Sequence, residues 1–189
     1  MNLHGTLSIY LAITTTLVAG CSSSKDEPGS DGTGLASSED VGATCTPGDE
    51  ERTGFPGYSA SEINVESRSD ECATGICLGN HFEGRTNCPY GVDCETPSGD
   101  PITVDVPPQL VSRPPEDAMY CSCRCDGPSD QGPYCACPSD FECRPLVPDY
   151  GLSSRELSGS YCIKKGTYVE GTPPDGPRCD PALANCEDR

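Results

Sequence analysis

The sequence predicts a small, loop-dominated domain stapled by disulfides, with a few short antiparallel strands and a flexible N-terminal tether. Three observations predict it. The 189-residue chain carries 15 cysteines, the pattern of secreted domains that replace a core with covalent bonds. Gly, Pro and Ser supply 60 of its 189 residues and interrupt every candidate element, which leaves no room for long helices. After the first twenty residues, Leu, Ile, Val and Phe together number only 22 of 169, and there is no Trp. So little apolar surface, with a net charge of −18, would leave an unbonded chain disordered, because burial would not offset the entropy of ordering it.

The N-terminal twenty residues contain no acidic residue, Lys or Arg. From Leu7 to Ala19 they read LSIYLAITTTLVA, an apolar run of 13 residues, shorter than the ~20 helical residues that span a bilayer core. That length suits the h-region of a signal peptide, although no charged n-region precedes it. The run ends in Val18, Ala19, Gly20 and Cys21. This VAGC resembles the lipobox of bacterial lipoproteins, and the resemblance implies cleavage before Cys21 and lipidation of that cysteine. An ordinary thiol beside a chance Val-Ala-Gly is the alternative, but assigning Cys21 to lipid also makes the remaining cysteine count even. One acyl chain holds a protein only marginally, whereas several, at ~0.8 kcal/mol per buried CH₂, anchor it stably.

Residues 21–44 form the predicted tether. Ser22–Thr44 reads SSSKDEPGSDGTGLASSEDVGAT, without hydrophobic periodicity and rich in Ser, Gly and Asp. As a Gly/Ser-type coil it reaches roughly 25 to 29 Å, enough to clear the headgroups. All 30 acidic and 12 basic residues follow the predicted cleavage site. Such a surface excludes nucleic acid as a partner, since that binding depends on Lys and Arg neutralising phosphates.

The disulfide-rich domain is expected over residues 45–189. Cys45, Cys72, Cys77, Cys88, Cys94, Cys121, Cys123, Cys125, Cys135, Cys137, Cys143, Cys162, Cys179 and Cys186 suffice for seven bonds, whose connectivity sequence leaves open. Parity still constrains it. Residues 45–94 hold five cysteines, so full pairing sends at least one bond into the C-terminal half and makes one stapled unit.

Within that unit, Ser59 and Glu62 have capping-box spacing, but Ile63 and Val65 do not continue a helical period, so a turn or two is expected. Ile102, Val104 and Val106 alternate with Thr103 and Asp105, a short edge strand bracketed by Pro101, Pro107 and Pro108. Tyr161–Val169 carries β-formers around Gly166. Asp180 before Pro181 predicts one capped turn.

The densest cysteine signal is Tyr120–Cys143, YCSCRCDGPSDQGPYCACPSDFEC. If Cys121, Cys123 and Cys125 lie on one strand, their sulfurs share a face, an arrangement a soft metal would exploit. Export and the lack of paired CxxC knuckles favour disulfides instead. CACPSDFEC is similar to the closing half of an EGF-type module, with Asp140 at the usual turn glycine. CATGIC, Cys72 to Cys77, resembles the CxSGxC knots of extracellular cysteine-rich modules. Lipobox, acidic tether and cysteine-rich domain together resemble lipoproteins of myxobacteria and their relatives, which implies a location rather than an activity. Ser22 directly after the anchor resembles lipoproteins sent to an outer membrane.

Catalysis has few candidates. His81 is the only histidine after the cleavage site, and its place between Asn80 and Phe82 reads as surface or loop rather than general base. No GxSxG, HExxH or phosphate-binding glycine loop occurs. Asp126 and Asp130 lie in a Gly/Pro loop but lack the DxDxDG ladder of a calcium site, so weak cation association is the most they predict. No catalytic residue, metal or cofactor is expected. The leading reading is a non-enzymatic, lipid-anchored envelope protein with a structural role or one in recognising a protein or polysaccharide. The alternatives are a protease inhibitor and a thiol- or metal-handling protein built on Cys121 to Cys143.

Overall fold

A computed structural model describes residues 37–130, 132–151, 156–171, 176–183 and 185–186, all within the unit Thr33–Arg189. The predicted signal peptide, Cys21 and most of the tether lie outside the described residues. Six strands form two antiparallel sheets: β1 (Ile63–Ser67), β2 (Ile76–Asn80) and β3 (Met119–Cys121) in the order β1-β2-β3, then β4 (Arg124–Asp126), β5 (Phe141–Val147) and β6 (Gly159–Lys164) in the order β4-β6-β5. Among the described residues the one α-helix, α1 (Pro115–Ala118), is a single turn opened by proline. The fold class is the predicted one.

The sheet of β2 and β3 has a core on each face. Its register sets Cys77 opposite Cys121 and Leu78 opposite Tyr120, and successive strand side chains point to opposite faces. Cys77, Met119 and Cys121 therefore join one cluster with Cys45, Tyr58, Cys72, Phe82 and Ala118. Leu78 and Tyr120 enter a second cluster with Phe141, Tyr161, Cys162 and Ile163 of the other sheet and with Cys123 and Cys135. Tyr120 meets Phe141 edge to face at 5.5 Å, an arrangement worth about 0.5–1.5 kcal/mol beyond area burial. Ser122 joins the sheets. Its N–H donates to the Ile76 carbonyl (3.0 Å) and its Oγ to the Cys162 carbonyl (2.8 Å).

All fourteen cysteines from Cys45 onward pair: 45–77, 72–121, 88–94, 123–135, 125–143, 137–162 and 179–186. Cys72–Cys121 is the bond that leaves residues 45–94, as parity requires. None of the three cysteines of the EGF-like stretch 135–143 bonds to another within it.

Several sequence expectations need correction. The tether does not extend to residue 44, because its last residues belong to the fold. Gly42 N–H donates to the Cys121 carbonyl (2.8 Å), Cys121 N–H to the Ala43 carbonyl (2.7 Å), and Val41 packs on the second core. This segment covers the free edge of β3, whose backbone groups would otherwise lack partners. Residues 102–106 are not a strand. Their alternation survives, with Val106 buried and Thr103 and Asp105 exposed, but the ladder is absent. Prolines remove donors at both ends, and pairing stops at the Glu95–Pro101 bridge and the bond from Ile102 N–H to the Cys94 carbonyl.

Other expectations hold in part. β6 stops before Gly166, whose φ of +80° makes a turn, so Tyr168 and Val169 lie beyond the strand. Ser59–Glu62 is a turn with half a capping box: Glu62 Oε2 accepts from Ser59 N–H at 3.4 Å. Ile63 and Val65 then open β1. Asp180 Oδ1 accepts from Ala182 N–H (2.8 Å) over the 3₁₀ turn Pro181–Leu183.

Candidate functional site

The CxCxC run does not place three sulfurs on one face. The chain leaves the first sheet after Cys121 and enters the second at Arg124, so Cys121 turns to Cys72, Cys123 to Cys135 and Cys125 to Cys143. The sulfurs do gather elsewhere, in three groups with ligand atoms within 4.8 Å: Cys45, Cys72 and Cys121; Cys123, Cys135 and Cys162; Cys125, Cys137 and Cys143. Each group is a place where two disulfides touch. Cys162 Sγ, for example, lies 3.6 Å from the sulfurs of both Cys123 and Cys135. A disulfide sulfur carries no thiolate, the form that binds metal, so these groups are bonds packed on one another, the first two in the cores and the third nearer the surface, where Cys143 is exposed. Asp126 and Asp130 belong to no such group among the described residues; Asp126 Oδ1 accepts from Gly127 N–H.

His81 is a buried residue, not a surface one; it is 4 % exposed. Its Nδ1–H donates to the Ala60 carbonyl at 2.8 Å and its backbone N–H to the Glu62 carbonyl. Burial, aided by the nearby Arg113 cation, holds its pKa below the ordinary 6.5. The ring clamps the turn before β1 to the end of β2.

A buried pair of charged residues, Glu50 and Arg85, escaped sequence reasoning altogether. Both are fully buried. The Glu50 carboxylate accepts from the backbone N–H groups of Thr86 (2.7 Å) and Asn87 (3.1 Å). Arg85 donates to the carbonyls of Glu50, Arg52 and Phe55. Each charge thus organises the other's loop. Burial raises the Glu50 pKa and lowers that of Arg85, and both are engaged in local hydrogen bonds that hold the two loops.

Surface clefts among the described residues are the other candidates. One of about 280 Å³ is lined by Asp49, Tyr58, Asn64 and Glu66, but its acids are engaged: both Glu66 oxygens accept from Gly48 N–H, and Asp49 pairs with Arg52 at 3.0 Å. A shallow apolar groove of about 400 Å³ runs along Pro128, Pro145, Leu146, Val147 and Pro148 at the end of the second sheet.

The third cleft, about 220 Å³, lies between the segment entering α1 and the turn after β6, lined by Leu110, Ser112, Arg113, Asp117, Thr167 and Val169, with Gly166 between them. Arg113 is 7 % exposed. It precedes Pro114 and Pro115, and a residue before proline is held extended, here against the sheet. Its Nη1 donates to the Asn80 carbonyl (3.2 Å) and its Nη2 to the Thr167 carbonyl (2.8 Å). Beneath it, Asn80 Nδ2 donates to Thr167 Oγ1, and Lys164 N–H to the Tyr120 hydroxyl. Burial pulls the Arg113 pKa below its ordinary value. The nearest acid, Asp117, is paired to Lys164 Nζ at 3.1 Å.

The chain matches no family model, no curated protein and no solved structure.

Proposed function

We propose that this chain is a lipid-anchored, extracytoplasmic protein of the cell envelope that recognises a ligand and catalyses no covalent chemistry. The observation that carries the reading is the set of seven disulfides using every cysteine from Cys45 to Cys186. Such bonds form and persist in oxidising compartments, which agrees with an exported chain. Membrane attachment in this reading rests on Cys21 and its VAGC motif, with outer-membrane sorting following from Ser22. Among the described residues no helix is long and apolar enough to cross a membrane. Recognition rather than turnover is supported by the local engagement of the buried titratable groups His81 and Glu50, each held by backbone partners.

The test is an intact mass of detergent-extracted native protein, alkylated without reduction. The expected species lacks residues 1–20, carries acyl chains and takes no alkyl group. An unlipidated mass that begins at Met1, or extensive alkylation, would overturn the reading.

A second reading, protease inhibition, has one specific observation in its favour. The loop closed by Cys88–Cys94 presents Tyr90 and Val92 to solvent, Val92 at 71 % exposure, and rigid loops lose little entropy on binding. It requires stoichiometric loss of activity in a protease that accepts Tyr, with the loop uncut.

A further inference from the structure

We propose that the cleft at Arg113 is a binding site for a small organic carboxylate whose apolar part rests against Leu110 and Val169. The inference rests on the recognition reading above and names the ligand chemistry of one site.

Buried cations in proteins are normally paired with an anion. Arg113 is buried and meets only neutral carbonyls, one at each terminal nitrogen. Its guanidinium has five N–H donors in a planar fork, so two carbonyl partners leave donors to spare. The charged groups around it form no direct ion pair with it, although the Asp117 charge favours its protonated form. Asp117 is committed to Lys164, and His81, on the side of β2, is held neutral and bonded to Ala60. The chain carries 30 acidic residues, and none of those described lies within ion-pair distance of this cation.

The rest of the lining fits a carboxylate with a short apolar substituent. The guanidinium fork matches a carboxylate's two oxygens. Ser112, exposed on the rim, adds a hydroxyl donor. Leu110 and Val169 offer apolar shoulders, and about 220 Å³ admits a group the size of a small amino-acid derivative. The polar floor is already fixed: Thr167 Oγ1 donates to the Lys164 carbonyl (2.8 Å) while accepting from Asn80. The site therefore exists before the ligand arrives, and little reorganisation opposes binding.

The experiment is a two-dimensional ¹H–¹⁵N titration of the folded, disulfide-intact protein with N-acetyl-alanine, with its amide, and with glucuronate, each to about 50 mM, a range that reads millimolar affinity. N-acetyl-alanine is expected to shift the amides of Ser112, Gly166 and Thr167 saturably. The amide should bind at least tenfold more weakly, because it lacks the charge, and glucuronate at least fivefold more weakly, because its surroundings are polar. Since Arg113→Gln removes two structural hydrogen bonds, the decisive variant is Ser112→Asp. It sets a carboxylate at the rim and leaves Arg113 and its carbonyl partners in place, so it should weaken N-acetyl-alanine at least tenfold with spectral dispersion retained. Silence, equal binding of acid and amide, preference for glucuronate, or indifference to Ser112→Asp would each overturn the site. A silent titration of an anchored, fully bonded protein removes the site and leaves the recognition reading. Turnover of a probe removes that reading instead.

Discussion

At His81 the backbone adopts φ +56°, a left-handed conformation that His, Asn and Asp tolerate better than most side chains. The residue sits at the end of β2 with its ring inward, so its neutral form is part of the folded state. The unfolded chain titrates near 6.5 and the folded one lower. Below pH 6.5 the unfolded state therefore binds more protons, and stability falls as pH drops until the folded pKa is passed. Glu50 works in the opposite sense: its raised pKa makes stability increase as pH falls through its folded value toward 4.5. Urea unfolding at pH 7.5 and 5.5 should show a loss on acidification that is smaller in His81→Asn, which keeps the left-handed preference and removes the titration. An unchanged pH slope in that variant would contradict the assignment.

Among the elements, the segment 102–106 shows how a loop substitutes for a strand. Its inward residues find a core, but its backbone neighbours are loops rather than a ladder, and glycines make the approach close. Gly91 has φ +73°, and a Cβ there would lie 2.1 Å from the Val106 carbonyl oxygen. Gly99 has φ +89° with nothing within 4 Å of the same position. Both glycine-to-alanine changes incur left-handed strain of about 1–3 kcal/mol, but only Gly91→Ala also forces two backbones apart. Denaturant midpoints should therefore fall further for Gly91→Ala than for Gly99→Ala. Equal losses would mean that the approach of residues 91 and 106 contributes nothing. The same logic separates β5 from 102–106: β5 pairs with β6 along its length, with a register shift between Pro145 and Val147, because its proline lies within an edge strand rather than at both ends of an isolated one.

For the molecule as a whole, the bonds divide the work unevenly. Cys72–Cys121 spans 49 positions, the longest separation of the seven, and is the one disulfide that ties residues 45–94 to the rest. Loop-closure entropy predicts about 4 kcal/mol for it, a large share of the 5–15 kcal/mol that typically stabilises a domain. Replacing both cysteines by alanine should lower stability by roughly that amount, and more than the loss of Cys88–Cys94 or Cys179–Cys186, whose separations are 6 and 7. Full reduction should unfold the domain. Circular dichroism and protease resistance unchanged by reductant would refute this, and would mean that the two small cores suffice without covalent help.

How much of this was legible beforehand follows the range of the interactions. Cysteine number, apolar poverty and the density of Gly, Pro and Ser are local properties, and they determined the fold class, the expectation that disulfides hold it, and that at least one bond had to leave residues 45–94. Turn chemistry was equally local, which is why the Ser59–Glu62 turn, the Asp180 cap and the Gly166 break could be placed. Only the tertiary structure decided which cysteine meets which, that the CxCxC run divides between two sheets, and that the last tether residues close the edge of β3. These depend on partners tens of residues away that leave no periodic trace. The buried charges are the clearest instance: nothing in the neighbourhoods of Glu50, Arg85 or Arg113 distinguishes them from the solvated acids and bases of the surface. They are buried because backbone groups 30 or more positions distant converge on them, and that convergence belongs to the folded chain alone.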